Sequence, residues 1–566
     1  MKSRLAAGAL IAMLMPMAHA QKMEIWSVDP LIKVFRDAEP ARGGTIVAEA
    51  ARGEHVSLQV VVRSASEISG LKAEVTPFSI RGGGEPLKAI APRFVGYVPV
   101  DRPIQKPPKD ELRMPPADYP DPLLEVEQID VAANQVQPIW VTVKVPVDAK
   151  PGVYRAELRV DGTTDGKPVK AKERLAIRVY PVTVEKTRLK VTDWFGVNAL
   201  HLDVKLEGND DEYFNLLGRF ARNMAEHRHN VALISPLSLA TFSASADGKL
   251  QADWTRFDRF VDVCIDAGLV GTIEGGHIGG RVGDWSSQFG VTIVGVQDGK
   301  AVMKSADPAS PEADAFYAWY FPALIAHLKE KGWLDRYIQH LADEPIPSNV
   351  ESWKAIAALV RKYAPELRTI DACHTKELVG SMDIWVPQLN YLHQDFAHYQ
   401  ERQKAGDEVW FYTCVYPQGE YANRFIEQPL IKTRLLHWIN FKYGITGYLH
   451  WGYNHWRAES PYTSTTVAHG GPPYLPAGDP WIVYPGKNGP WDSIRWEAMR
   501  DGIVDHELLS MLAEEQSRSM KRIKEKDTVQ TLASSFVLDF DKYNTDVQQF
   551  RKARRELLKQ LSAYQK

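Results

Sequence analysis

From Met23 to about Val184 the apolar positions come in short, strand-like runs. Val56 to Val62, Pro138 to Val145 and Leu175 to Tyr180 are rich in β-branched and aromatic residues and are separated by Gly, Pro and Asp turns. That spacing predicts an antiparallel β-sandwich. Val145 to Tyr154 reads as a strand, a Pro-Gly turn and a returning strand. Arg102 to Pro122 carries seven prolines and reads as a long loop reaching toward a neighbouring domain. Beyond Pro181 the rhythm changes. Strands are expected at Val191–Val197, Val231–Ser235, Val270–Glu274, Tyr337–Ala342, Arg368–Cys373, Asp383–Leu389, Glu408–Cys414 and Thr446–Trp451. Amphipathic helices are expected between them at Tyr213–His227, Trp254–Ala267, Ala313–Lys331, Val350–Tyr363, Asp395–Lys404 and Ile426–Tyr443, with another beginning near Ser493. Eight strand–helix units predict a (β/α)₈ TIM-like barrel with insertions, an open parallel sheet being the alternative. The expected organisation is a β-sandwich accessory domain at 21–184, a barrel catalytic domain at 185–500 and a helical C-terminal extension at 501–566.

The first twenty residues stand apart from this pattern. Lys2 and Arg4 precede an apolar stretch from Leu5 to Met17, and Ala18-His19-Ala20 has the small-x-small form cut by a signal peptidase. Residues 1–20 are therefore expected to be a signal peptide and the mature chain to be exported, most simply to a periplasm. The stretch is too short to cross a bilayer as a helix, and no membrane span is expected elsewhere. The net charge of -3 contains no long basic run, so no nucleic-acid partner is expected. Three cysteines, Cys264, Cys373 and Cys414, are no disulfide framework, although a Cys373–Cys414 bridge is open.

In a barrel of this kind the chemistry gathers at the carboxyl ends of the strands. The fourth expected strand ends in Asp343-Glu344-Pro345, two adjacent carboxylates. Consecutive strand residues point to opposite faces, so both serve one ligand only if the chain leaves strand geometry there, which Pro345 favours. Two carboxyls so close do not both ionise cheaply, so one pKa should rise and leave an acid beside a charged partner. The bland alternative is a solvated loop, or a cap on the helix that follows.

Other strand ends supply amide, imidazole and aromatic groups: Asn198, Glu274, His277, Asn390, Tyr391, Tyr416, Trp451, Asn454 and Trp456. Such a set suits a carbohydrate, whose C–H faces stack on rings and whose hydroxyls need directional partners. Each aromatic taken singly is as readily core filling. His450 and His455 lack a carboxylate or Cys at ligand spacing and no His-Glu-x-x-His occurs, so neither a metal nor a cofactor is expected. No Gly-x-Ser-x-Gly elbow occurs either. Gly82-Gly83-Gly84 opens no helix and reads as a turn.

Leu341-Ala342-Asp343-Glu344-Pro345, the block from Tyr484 to Pro490 leading into Ser493 to Gly502, and the upstream stretches Gly53 to Gln59 and Pro151 to Tyr154 resemble glycoside hydrolase family 123, the β-N-acetylgalactosaminidase type with its relatives of unassigned activity. The resemblance spans nearly the whole mature chain. It implies substrate-assisted catalysis, as in family 20 hexosaminidases, in which the sugar's own 2-acetamido oxygen attacks the anomeric carbon. By that resemblance Asp343 would orient the acetamido group, and Glu344 would protonate the leaving oxygen and then activate water. The expected activity is release of β-linked N-acetylhexosamine, chiefly N-acetylgalactosamine, from a glycan or glycoconjugate. The alternatives are a conventional retaining glycosidase, with Glu344 as acid and Glu274 or Asp371 as nucleophile, and a carbohydrate-binding protein that cleaves nothing.

Overall fold

The computed structural model describes residues 23–41, 46–467, 474–519 and 523–564. The expected signal peptide, 1–20, lies outside the described residues. In the N-terminal half two largely antiparallel sheets face one another. One has five strands, in the spatial order Glu24–Val28, His55–Arg63, Val136–Lys144, Arg93–Val100 and Ala117–Leu124; the other is built around the long hairpin Gly152–Thr164 and Lys167–Thr183. Alternate residues of both sheets, among them Val56, Leu58, Val60, Ile139, Leu158, Val160 and Ile177, fill the space between them. The Pro-Gly turn after Val145 joins a strand of one sheet to a strand of the other, so the return is across the sandwich and not within a sheet.

The five-stranded sheet is covered on both faces. His55–Arg63 and Val136–Lys144 are buried along nearly their whole length, a pattern expected when neither face meets water. The outward residues Val95, Val98, Tyr119 and Trp140 join the core that continues into the barrel. The expected loop from Arg102 to Pro122 ends early, because Ala117–Leu124 forms an edge strand paired with Arg93–Val100. An edge position accommodates Pro120 and Pro122, which cannot donate to a ladder on both sides. The remainder does reach across: Ile104 N–H donates to Glu427 at 3.2 Å, Lys106 N–H to Gln418 at 3.1 Å, and Lys432 Nζ to Asp110 at 2.7 Å.

The second half is a nearly closed, eight-stranded parallel barrel of Lys190–Asp193, Val231–Leu233, Thr272–Gly275, Tyr337–His340, Arg368–Cys373, Ile384–Pro387, Glu408–Tyr412 and Gly447–His450. Between the first and second strands a side chain replaces part of the ladder: Asn230 Oδ1 accepts from Val191 N–H at 3.1 Å. Ile338, Ile370, Ile384, Val386, Trp410 and Leu449 pack the interior. After the third strand comes an unexpected three-stranded antiparallel insertion, Gly279–Arg281, Phe289–Gln297 and Lys300–Ala306. Its hairpin turn is Asp298-Gly299, both at positive φ, which is the pairing that a two-residue turn favours.

The block from Tyr484 to Gly502 docks the two halves. Ser493 caps the helix Ile494–Arg518 by accepting from Trp496 N–H, and that helix runs unbroken through positions 500 and 501, where a domain boundary was expected. Arg495, fully buried, clasps Asp121 of the sandwich through Nε and Nη2 at 2.9 Å each and spends its other donors on the carbonyls of Arg424, Gly478 and Trp481. Arg93 of the sandwich reaches Asp492 at 2.5 Å and Glu497 at 2.6 Å. All three cysteines are free and buried, so Cys373 and Cys414 are not bridged.

Burial pushes four histidines below their ordinary value of 6.5: His55 to about 2, His437 to about 3, and His227 and His506 to about 4. Each is neutral in the folded state and takes a proton on unfolding below pH 6.5. The stability each contributes is therefore complete above pH 6.5 and is lost as pH falls toward the folded value. Unfolding free energy is expected to drop by about 1.4 kcal/mol per histidine per pH unit below 6.5. Denaturant melts at pH 7.5, 6 and 5 check this; equal midpoints would refute it.

Candidate active site

The fourth strand ends at His340, and the chain turns at the second of the two carboxylates. Glu344 sits at φ +50°, a left-handed conformation that costs a non-glycine residue roughly 1–2 kcal/mol. The departure expected near Asp343 thus falls at Glu344, and it lets two consecutive side chains address the same mouth. Two bonds hold the turn: Glu344 N–H donates to Ala372 O at 3.1 Å, and Arg281 Nη2 donates to Glu344 O at 2.6 Å.

The two carboxyls have opposite surroundings. Burial, the neighbouring Glu344 charge and Asp371 raise Asp343 well above the usual carboxylate range. Burial also works against ionisation of Glu344, but it is outweighed by hydrogen bonds and charge from His374, with Tyr412 and Arg281 adding to them, and the group is held below its ordinary value. Tyr412 Oη donates to Glu344 Oε1, and His374 Nε2 lies 3.2 Å from the same oxygen and 2.5 Å from Tyr412 Oη. The surroundings therefore favour protonation of Asp343 over Glu344.

Beneath them lies a buried triad. His340 donates from Nδ1 to Glu274 and from Nε2 to Asp371, each at 2.9 Å, and its pKa is raised to about 10: burial opposes the charge and the two carboxylates overcome it. Asp371 also accepts from Ala342 N–H at 2.9 Å and Trp353 Nε1 at 2.6 Å; Glu274 also accepts from Thr192 and Trp194. Both carboxylates are 0% exposed. Glu274, expected among the substrate contacts, therefore belongs to the barrel's interior. His277, His340 and Asp371 bring donor atoms near one another, but both His340 nitrogens are already engaged by carboxylates, which leaves no lone pair for a metal.

The other expected residues divide. His277, half-buried with Nε2 unpartnered, packs against His340 and Trp194 at 4.0 and 5.1 Å between ring centres. Tyr391, half-buried, lies 4.8 Å from the His374 ring, and burial with the Glu344 charge raises its phenol; the adjoining Asn390 keeps a buried, unpartnered Oδ1. Trp451 is half-buried just past the eighth strand, its Nε1 donating to Asp479 at 3.2 Å. These gather around the acid pair's end of the barrel. Four others do not join them. Asn454 is buried and holds the backbone of Gly196 through both amide atoms; Trp456 is buried with Nε1 on Val483 O; Asn198 closes a local turn onto Leu200 N–H; and Tyr416 Oη donates to Gln105 of the sandwich loop.

Sequence reasoning missed Trp194, Arg281 and His374. Trp194 stands directly after the first strand, which ends at Asp193 and not at Val197, so the misplaced end pointed to Asn198 instead. His374 follows the correctly bounded fifth strand and was open to the same reasoning. A separate cavity of about 700 Å³ between the sandwich and the helix Val547–Tyr564 has no Phe, Tyr or Trp in its lining, and its arginines 551, 554 and 555 already bind Asp29, Glu54 and Glu49.

Comparison with known proteins decides the family. Residues 194–512 match the model for the glycoside hydrolase 123 catalytic domain, and residues 35–162 match that for the glycoside hydrolase 123 N-terminal domain. The chain belongs to glycoside hydrolase family 123. This family 123 chain has the fold of a family 123 glycoside hydrolase from Clostridium perfringens, described for glycolipid glycan hydrolysis: TM-score 0.72 at 15% identity, over 96% of this chain and 97% of that one. β-Glucuronidase 3 of Bacteroides uniformis, at 10% identity over 85% of this chain and 51% of its own, has a TM-score of 0.29. A xylanase of Thermobacillus composti, at 10% identity over 56% of this chain and 97% of its own, has a TM-score of 0.30. No curated protein sequence matches. As a glycoside hydrolase the family 123 chain acts on a glycan. None of the helices among the described residues is long and apolar enough to cross a membrane.

Proposed function

We propose that this glycoside hydrolase releases β-linked N-acetylhexosamine, N-acetylgalactosamine first among them, by a retaining mechanism in which the substrate's acetamido group is the nucleophile. The observation that carries the reading is the pair itself: two adjacent carboxyls in opposite surroundings stand at a mouth where Glu274 and Asp371, the alternative nucleophiles, are buried and saturated. A conventional retaining enzyme needs a nucleophile about 5–5.5 Å from the acid on the opposite side of the anomeric carbon. Glu274 and Asp371, locked by His340, are poor candidates.

The opposite surroundings of the two carboxyls fit a binding-triggered mechanism. An amide N–H from the substrate needs an ionised acceptor, so its arrival at Asp343 favours loss of the proton there and its transfer to Glu344. There it stands ready for the glycosidic oxygen. Asp343 then faces the positive charge that grows on the acetamido group as the bicyclic oxazolinium ion forms, and Glu344, deprotonated, draws a proton from the incoming water. Unpartnered His277 Nε2 and Asn390 Oδ1 are groups that sugar hydroxyls would satisfy, and Trp194 and Trp451 offer ring faces. The leader-like residues 1–20 support an activity outside the cytoplasm, on glycans of glycolipids or other glycoconjugates.

Aryl β-glycosides differing only at C2 and C4 test the reading. The 2-acetamido sugars should be turned over and their 2-hydroxy counterparts be almost inert, with a thiazoline mimic of the intermediate inhibiting strongly. A 2-fluoro sugar that covalently labelled Glu274 or Asp371 would replace this mechanism with the conventional one, and release from no glycoside would leave a binding protein.

A further inference from the structure

The insertion after the third strand brings an aromatic ring to the acid's side of the mouth. Trp285 lies in the connection between Gly279–Arg281 and Phe289–Gln297, and it is 49% exposed. A large ring so placed contributes little to a core, yet its backbone is tightly pinned. Arg281 Nε donates to Trp285 O at 3.0 Å and Asn349 Nδ2 donates to the same oxygen at 3.3 Å. The Arg281 guanidinium covers the ring 3.9 Å from its centre, and through Nη2 it also holds Glu344 O at 2.6 Å. One arginine thus ties the tryptophan to the backbone of the proposed acid. On the other side the Trp285 ring lies 5.8 Å from that of His374, whose Nε2 is 3.2 Å from Glu344 Oε1.

An acid must stand at the glycosidic oxygen, within hydrogen-bond reach of the atom it protonates. That oxygen is where the released sugar ends and the leaving group begins. Asp343 feels the charges of Asp371 and His340 in the barrel interior, whereas Glu344 accepts from Tyr412 and lies 3.2 Å from His374, the ring that Trp285 approaches. The released sugar therefore belongs with Asp343, Trp194 and His277, and the leaving portion belongs beyond Glu344. We infer that Trp285, stacked on Arg281, is the platform for the first sugar of the leaving group and sets the preference for what the N-acetylhexosamine is attached to. A pyranose of the leaving group would lay its C–H face on the open part of the ring, an interaction that depends on a flat apolar surface and tolerates several hydroxyl configurations. The platform is preorganised, because the pinned loop leaves little to order on binding.

This inference rests on the hydrolytic reading of the acid pair. Its test compares the whole protein with Trp285→Ala and Trp285→Phe on two substrates sharing the same β-N-acetylgalactosaminyl group, one a disaccharide and one a methyl glycoside. For Trp285→Ala the KM of the disaccharide should rise about tenfold with kcat little changed, since a contact kept from ground state to transition state acts as uniform binding. The methyl glycoside and thiazoline inhibition should be unaffected, and Trp285→Phe should fall between. The exposed ring can be truncated without emptying a core, so folding survives. Equal losses on both substrates, or none on either, would overturn the inference. Turnover of neither substrate by the unaltered protein would overturn the hydrolytic reading and the inference with it.

Discussion

Glu344→Gln is expected to lower kcat/KM about 10²–10⁴-fold on glycosides with poor leaving groups and far less on aryl glycosides whose phenols are acidic. A leaving group of low pKa departs without a proton, so removing the donor matters little there. The dependence of log kcat/KM on leaving-group pKa should accordingly steepen in the variant. The amide keeps the shape of the site and can still accept from Tyr412, so the loss belongs to the proton and not to packing. Equal losses across the leaving-group series would make Glu344 a positioning residue and return the acid to Asp343.

Removal of the sandwich is expected to abolish the folded barrel. A fragment from Glu185 to Lys566 would leave Arg495 without Asp121 and leave Asp492 and Glu497 without Arg93, all in sites the sandwich now keeps from water. The apolar surface that packs against Val95, Val98 and Trp140 would open to solvent as well. Soluble expression and a cooperative thermal melt of the fragment would refute this. If the fragment fails to fold, the sandwich, expected to be an accessory, is a structural part of the folded unit.

The barrel was legible because burial imposes a period. Each of the eight strands lies inside or within a residue of its expected run, and Val350–Tyr363 and Arg368–Cys373 coincide with theirs. The ends of strands were less legible, since an apolar run does not announce where the ladder stops. Four residues of overshoot on the first strand exchanged Trp194 for Asn198, and the same uncertainty admitted Asn454 and Trp456, which are buried scaffolding. Glu274 was misplaced for another reason. A carboxylate on a strand reads the same whether it faces a ligand or a buried imidazolium, and only the arrival of His340 beside it distinguishes them. The insertion carrying Trp285 did have a signal in Asp298-Gly299 between alternating apolar residues.

A sheet enclosed on both faces also has a consequence in time. The partners that cover its outer face lie far along the chain: Arg93 is 404 residues from Glu497, and Asp121 is 374 residues from Arg495. During synthesis the five strands emerge first and hold a half-finished surface until the last helices arrive, which makes the loop-closure cost large and the assembly slow. The protein should therefore refold with a slow phase in which the sandwich is already hydrogen-bonded while its apolar outer face is still open, and this interval is its most aggregation-prone. Raising the protein concentration during refolding would lower the yield through that one surface, long after both sheets have formed.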